Sequence, residues 1–497
     1  MGFLPFFSVE TWILLITFIC LFVMYGKWSH GVFEKMGIPG PKPLMYLGSV
    51  CQHNKVYYLD DNECAKKYGR VWGTYELRCP LLAVMDPEML KVILVKECFT
   101  YFINRRNLKL NAALNDALVF SEDDHWRRVR NLLTPSFTSG RLKEMFSIMK
   151  HHSRKMTDCL QSKVDNNEVI SIQDFFGPYS LDVMTSCVLS VDIDSLNNPN
   201  CSMMKHVKNI FKISMPVFLF QGCFPFFVPV LEMIGVSLFC KESIAFFKMI
   251  VKKIRAERNG SSHQTSRDIL QQMITSQTMK GSKNLAGLND HEITSQVTMF
   301  AFAGFETTAN TLYFLAYLLA RNPEVMTRLQ KEIDSTFPNK GSVDYEALMQ
   351  MEYLDAVVSE CLRLYPPIAR LDRKAKETVM IKGITIPKDM GVMVPVYALH
   401  RDPELWPEPE EFRPDRFSKE NKQNIHPYAY LPFGTGPRNC LGMRFGLVIV
   451  KLALAEVLQN YSFSVCEETE IPLQMNPESF VGPLRPIKLK MLARSTT

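Results

Sequence analysis

Ten residues near the carboxyl end, Phe433-Gly434-Thr435-Gly436-Pro437-Arg438-Asn439-Cys440-Leu441-Gly442, set one thiol among glycines and an arginine, just before an apolar helical run that reaches Leu458. A cysteine at a helix amino terminus meets free backbone amides and the positive end of the helix dipole. Both stabilise a thiolate and donate hydrogen bonds to its sulfur. Gly436 and Gly442 are expected to let the backbone approach a flat cofactor closely. Cys440 is thereby suited to be a metal ligand. A lone cysteine is more often a buried, inert thiol. The spacing Phe-x-x-Gly-x-Arg-x-Cys-x-Gly weighs against that, since five specified positions match by chance on the order of once in 10,000 such sequences.

Three further groupings carry chemistry-bearing side chains. Glu306, Thr307 and Thr308 follow Gly304 inside a long helical pattern. Buried threonines are ordinarily tolerated there as β-branched residues, but a hydroxyl next to a glycine competes for the carbonyl one turn back and opens the helix ladder. Glu360 and Arg363 stand at i, i+3 in a largely apolar helix, so a desolvated carboxylate and guanidinium need further partners, and Arg416 is the candidate. Trp126 and Arg130, at i, i+4, share one helix face, with an indole donor and a guanidinium pointing the same way. The plain alternative is a core tryptophan beside a surface arginine.

The decapeptide around Cys440 resembles the haem-binding loop of the cytochrome P-450 superfamily, in which a cysteine thiolate is the axial haem ligand. The other groupings fall in that superfamily's order: Trp126 and Arg130, then Ala303 to Thr308, then Glu360 with Arg363, then Pro414-Asp415-Arg416-Phe417. Asn104-Arg105-Arg106, Pro135 to Arg141 and Tyr397 to Pro403 are similar to the vertebrate drug- and steroid-oxidising family 3. The resemblance implies a mainly α fold with small β-sheets and haem b, iron protoporphyrin IX, bound through Cys440. It implies that Phe433 belongs to the haem-binding loop, and that Arg105, Trp126, Arg130, Arg373 and Arg438 bind the propionates. By the same resemblance Thr307 and Glu306 deliver protons during dioxygen cleavage. Glu360, Arg363 and Arg416 hold the haem-side core together, and Phe302, Ile368 and Ala369 contact substrate. One departure is Asn107-Leu108-Lys109-Leu110-Asn111, where an aromatic, glycine-containing stretch is expected in a loop that lines the family's pocket.

These residues need a large body to position them, and 497 residues with 47% hydrophobic content provide it. Fifty-seven lysines and arginines against fifty-one aspartates and glutamates leave +6, too little for a dedicated nucleic-acid binder. Thirteen scattered cysteines without a Cys-x-x-Cys pair point neither to a disulfide framework nor to structural zinc. Residues 11–26 carry no charge, and the apolar stretch extends back through Phe6 and Phe7, long enough to span a bilayer. Lys27, Lys35 and Lys42 follow it and no basic residue precedes it. This pattern predicts an uncleaved single-pass anchor with the remaining chain in the cytosol, at the endoplasmic reticulum membrane by family resemblance. The expected domains are an anchor (1–26), a stiff, extended Pro/Gly-rich connector (27–43) and a catalytic body (44–497). A capped helix is predicted from Asn289 to before Asn322-Pro323. Strands are predicted over 71–85, broken at Cys79-Pro80, and over 379–399. Met215 to Cys240 is read either as core or as short broken helices that roof a pocket and dip into the membrane surface.

The expected function is a reductase-dependent, unspecific monooxygenase that inserts one oxygen atom from O2 into steroids and xenobiotics. NADPH supplies electrons indirectly through its cytochrome reductase, with cytochrome b5 as a further candidate donor, and the remaining partners are membrane lipid and lipophilic substrates, not nucleic acid. The donor is expected to dock behind Cys440 on Arg128 and Arg444, Arg128 being turned away from the haem. The alternatives are a haem-thiolate isomerase or dehydratase acting on a peroxide, which needs no oxygen-activating alcohol, and a non-catalytic haem-binding sensor.

Overall fold

The computed structural model describes residues 8–260, 268–278, 287–477 and 480–494; Phe6 and Phe7 of the predicted apolar stretch lie outside them. The first helix, α1 (Val9–Trp28), is capped by Ser8, whose hydroxyl accepts the Thr11 amide. Its apolar side chains, Ile13, Leu14, Ile16 and Phe18 among them, are exposed. A span of this length and hydropathy suits a bilayer rather than a core.

The segment after α1 differs from the predicted stiff, extended spacer. A short helix (Val32–Lys35) follows, Phe33 is buried against Gly73 and Tyr75, and the Gly73 amide donates to the Pro39 carbonyl at 2.9 Å. The end of α1 is also fastened to the body. Tyr46 donates to the Phe22 carbonyl at 2.6 Å, Tyr25 stacks on Phe224, and the Arg78 guanidinium lies 3.5 Å from the Tyr25 ring centre. Gly26 is required there, because a Cβ would stand 2.6 Å from the Tyr46 ring.

Strands β1 (Val71–Glu76) and β2 (Cys79–Val84) form an antiparallel hairpin. Its turn is at Leu77-Arg78, Leu77 taking positive φ, so the predicted break at Cys79-Pro80 is two residues late and Pro80 lies inside the strand. Helix α2 (Asp123–Leu133) carries Trp126 and Arg130, and α3 (Gln173–Leu189) and α4 (Ser202–Ile210) follow. Residues 215–234 form two short helices, Met215–Cys223 and Val228–Met233, with a turn at Pro225–Phe227. They lie on the surface with Phe226, Met233 and Ile234 exposed, as the broken-helix reading expects, while the end of the segment, Leu238 and Phe239, is buried in the main core as the other reading expects.

The longest helix, α5 (Asp290–Arg321), has 32 residues, close to 50 Å at about 1.5 Å each. Both halves of its predicted capping box are formed: Asn289 accepts the Glu292 amide at 2.9 Å, and Glu292 accepts the Asn289 amide at 2.8 Å. Helix α6 (Glu352–Leu364) leads to β3 (Arg370–Lys374), and β4 (Gly391–Pro395) completes a four-stranded sheet in the order β1-β2-β4-β3. The predicted 379–399 strand region is divided: Val379–Ile381 pairs with Ile384–Ile386 separately, and Val396–Leu399 is helical. Helix α7 (Met443–Asn460) runs through the main core beside α5. A second core lies against the four-stranded sheet.

Candidate haem and substrate site

Cys440 sits in a tight loop three residues before the start of α7. Its amide donates to the Phe433 carbonyl at 2.9 Å, closing the loop on itself. Gly434 and Gly436 both take positive φ. Gly436 serves a different contact from the predicted one: a Cβ there would meet the Leu94 carbonyl at 2.0 Å, so this glycine lets the loop pack on the protein. At Gly442 a Cβ would meet nothing, and this residue borders a cavity of about 410 Å³ together with Cys440. Burial pushes the Cys440 thiol up, while the Gly442 backbone hydrogen bond and the Arg130 and Arg105 guanidinium groups pull it down. The residue itself is exposed to the cavity, and a thiolate at that wall needs a cation opposite it.

The cavity brings together residues from distant parts of the chain. Trp126, Arg105, Arg130, Arg438 and Phe433 border it, as do Phe302 and Thr307 from α5 and Ile368 before β3. Its walls also include residues that sequence reasoning missed, Phe120, Phe137, Phe211 and Phe480 among them. Phe211 stacks on Phe302 at 4.0 Å between ring centres, and Phe480 lies 5.4 Å from Phe302. Phe137 falls in the family-similar stretch Pro135 to Arg141 but was not placed in the pocket, and no local motif marks the other three, which only the fold assembles. Phe300, by contrast, lies on α5 one turn before Gly304, and helical spacing would have found it.

Several predicted residues take other places. Ala369 is buried but not on the cavity wall; its carbonyl accepts the Tyr397 amide. Glu306 does not border the cavity either, and lies by Asn310 and Lys208, with burial pushing its carboxyl up. The divergent 107–111 loop folds on itself, Asn107 Oδ1 accepting from the Lys109 amide and from Asn111 Nδ2, and none of its residues lines the cavity. Arg128 is not free for a partner: it pairs with buried Glu292 and donates to the Gly287 carbonyl. The neighbouring Arg127 is 47% exposed.

Four arginines converge beside the cysteine loop. Arg130 grips Asn439 through its carbonyl and its side-chain oxygen, both at 2.8 Å, and so fixes the residue before Cys440. Arg438 lies 4.3 Å from the Trp126 ring centre and donates to the carbonyls of Ile103, Leu118 and Ser121. Arg373 stands behind the wall, buried. Burial and the neighbouring Arg105 hold the Arg373 guanidinium down at about 10, and the Arg438 guanidinium, with Arg373 added, at about 9. Arg105 Nε and Arg373 Nε are buried without a hydrogen-bond partner. Cations gathered this way, with donors to spare, call for anionic groups among them. A flat, dianionic macrocycle carrying a metal opposite Cys440 meets both demands, so haem fits the residues present.

On the far side of the loop, Arg363 makes two bonds to Glu360, at 2.7 and 2.9 Å, with both side chains fully buried. Arg416 adds a third at 3.2 Å, as predicted, and Arg363 also donates to the His400, Pro409 and Glu411 carbonyls. All thirteen cysteines are free thiols. His53, Asp60 and Cys64 lie close together, but Asp60 is filled by the amides of Cys51, His53 and Asn54, which makes it a loop clamp.

Comparison with known proteins agrees with this geometry. Residues 38–491 match the sequence pattern of the family described as Cytochrome P450. Cytochrome P450 3A40 of Oryzias latipes is 53% identical over 502 aligned positions that cover the whole of both chains. Cytochrome P450 3A27 of Oncorhynchus mykiss is 54% identical over all of this chain and 97% of its own, and Cytochrome P450 3A29 of Sus scrofa 48% over all of this chain and 99% of its own. With likeness running end to end and the cysteine loop closing a haem-sized cavity, the chain belongs to the cytochrome P450 family, among its 3A members.

Proposed function

We propose that this chain is a membrane-anchored haem-thiolate monooxygenase that inserts one oxygen atom from O2 into lipophilic substrates, steroids and xenobiotics among them, using electrons from NADPH passed on by a reductase. The observation that carries this reading is that Cys440 and Thr307 open on the same largely apolar cavity. Haem, when bound, supplies the activation of dioxygen, which no protein side chain can perform.

The chain's own residues do the rest. Cys440 would supply the sulfur that holds the haem iron, and Arg130 sets its loop through Asn439. Arg105 and Arg438, backed by Arg373, supply cationic donors for the propionates, and Trp126 lies under Arg438. Thr307 Oγ1 donates to the Ala303 carbonyl at 2.6 Å, which leaves its lone pairs turned to accept a proton-bearing group in the cavity. Phe120, Phe211, Phe302 and Phe480 exclude water and favour apolar substrates. Glu306 lies off the cavity and can hand protons on only through an intermediary.

The exposed apolar α1 and the exposed Phe226, Met233 and Ile234 favour a body that rests on the membrane it is anchored in, at the cytosolic face of the endoplasmic reticulum. Exposed Arg127 and Arg444, rather than Arg128, are the cations offered to an acidic reductase, with cytochrome b5 as a second donor. The test is turnover of a panel of steroids and bulky lipophilic drugs by purified protein with reductase. Oxygenated product that depends on NADPH supports the reading. Haem binding with no product from any substrate would favour a sensor, and rearrangement of a peroxide without NADPH would favour an isomerase.

A further inference from the structure

Helix α5 carries extra hydrogen bonds where it borders the cavity. Thr307 donates to the Ala303 carbonyl at 2.6 Å, and Ser180, from α3, reaches the carbonyls of Gly304 at 3.2 Å and Phe305 at 3.0 Å. Two hydroxyls therefore serve three consecutive carbonyls, 303 to 305, the one Ser180 proton being shared between Gly304 and Phe305. Carbonyls drawn sideways in this way lengthen the ladder and bow the helix locally. The two residues supplying these hydroxyls differ in kind. Thr307 bonds within its own helix, whereas Ser180 is fully buried and ties α5 to a neighbour.

The surroundings of Ser180 give that tie a direction. One turn further along α3, Met184 fills the space that Gly304 leaves bare: a Cβ at Gly304 would stand 2.2 Å from the Met184 sulfur. Both Gly304 and Met184 border the cavity, so the cavity reaches past α5 to α3 at this one level. Ser180 pulls on the carbonyls while Met184 sets how near the helices come.

We propose that Ser180 is a positioning residue for Thr307. Its buried hydroxyl, with Met184 as the spacer, holds α5 against α3 at the Gly304 and Phe305 carbonyls and so sets where the Thr307 oxygen stands in the cavity. This rests on the reading of Thr307 given above.

The test uses the full-length holoprotein with reductase and compares Ser180→Ala, Thr307→Ala and the double variant. Haem content and the ferrous carbon monoxide spectrum report integrity, the ferric Soret position reports water held in the cavity, and peroxide per NADPH reports proton handling. Ser180→Ala is expected to keep haem and the carbon monoxide band, to shift the ferric Soret, and to raise peroxide per NADPH by up to about fivefold, the scale of one buried hydrogen bond. In the Thr307→Ala background the same change should add nothing, whereas a merely structural role would add in both. An unaltered Thr307→Ala would sink the reading of Thr307 itself. A leaky Thr307→Ala beside an unaltered Ser180→Ala, or additive effects, would overturn the proposal alone. If Ser180→Ala fails to take up haem, Gly304→Ala decides: it should raise peroxide by forcing α3 and α5 apart, and adding Met184→Ala should restore coupling. No restoration overturns the proposal.

Discussion

At the scale of single residues, Cys440 is, among the described residues, the one cysteine on the cavity wall. Cys440→Ser should abolish the red-shifted Soret band of the ferrous carbon monoxide complex, because an alcohol does not supply the electron density of a thiolate. The spectrum checks this directly, and each of the other twelve cysteines should be replaceable without losing the band. Cys440, Arg438 and Trp126 were legible because their spacing along the chain carries their chemistry, whereas Glu306 and Ala369 mark where such reading runs out. Successive helix residues rotate by about 100°, so the acid next to Thr307 faces another wall. Neighbours in an extended segment point to opposite sides, so Ile368 reaches the cavity and Ala369 does not.

At the scale of elements, α5 was legible because its start and stop are local: a capping box at one end and Asn322-Pro323 at the other. Its use of Glu292 was not, since the partners lie 164 and 167 residues away, at Arg128 and His125. Arg128→Glu should therefore act as a folding defect: two carboxylates would face each other at the start of α5, at a cost of about 3 kcal/mol. Thermal unfolding should come early, and peroxide-driven and reductase-driven turnover should fall together. Loss confined to the reductase-driven assay would restore Arg128 as a docking residue. The strands were misplaced because each pairs with partners far along the chain, β2 with β4 for instance. His400 joins two such distant pieces, its Nε2 accepting the Leu431 amide at 2.8 Å and its Nδ1 lying 3.1 Å from the Arg363 carbonyl. Burial, with Arg363 nearby, lowers its pKa to about 3 from the ordinary 6.5. Between those values the unfolded chain takes up a proton that the folded one refuses, so stability is complete above pH 6.5 and declines as pH falls towards 3. His400→Gln should flatten that part of the profile in acid unfolding followed by circular dichroism.

At the scale of the whole molecule, the apolar helix α1 was legible from hydropathy, but its docking onto the body was not, because Tyr25, Tyr46, Arg78 and Phe224 meet only in three dimensions. Deleting residues 1–28 should leave a protein that still sediments with membranes at moderate ionic strength through Phe226, Met233 and Ile234, yet is released by alkaline carbonate; the full chain should resist both washes. Complete solubility of the truncated protein would remove residues 215–234 from the membrane surface. The clustered Arg105, Arg373 and Arg438 have a consequence for the protein's life in the cell. Without haem these cations would stand close together with nothing to balance them, so the apoprotein is expected to be less stable than the haem-bound form. In haem-starved cells the wild-type chain should turn over quickly, while Arg373→Met, relieved of one buried cation, should persist as apoprotein, a difference that a pulse-chase experiment would measure.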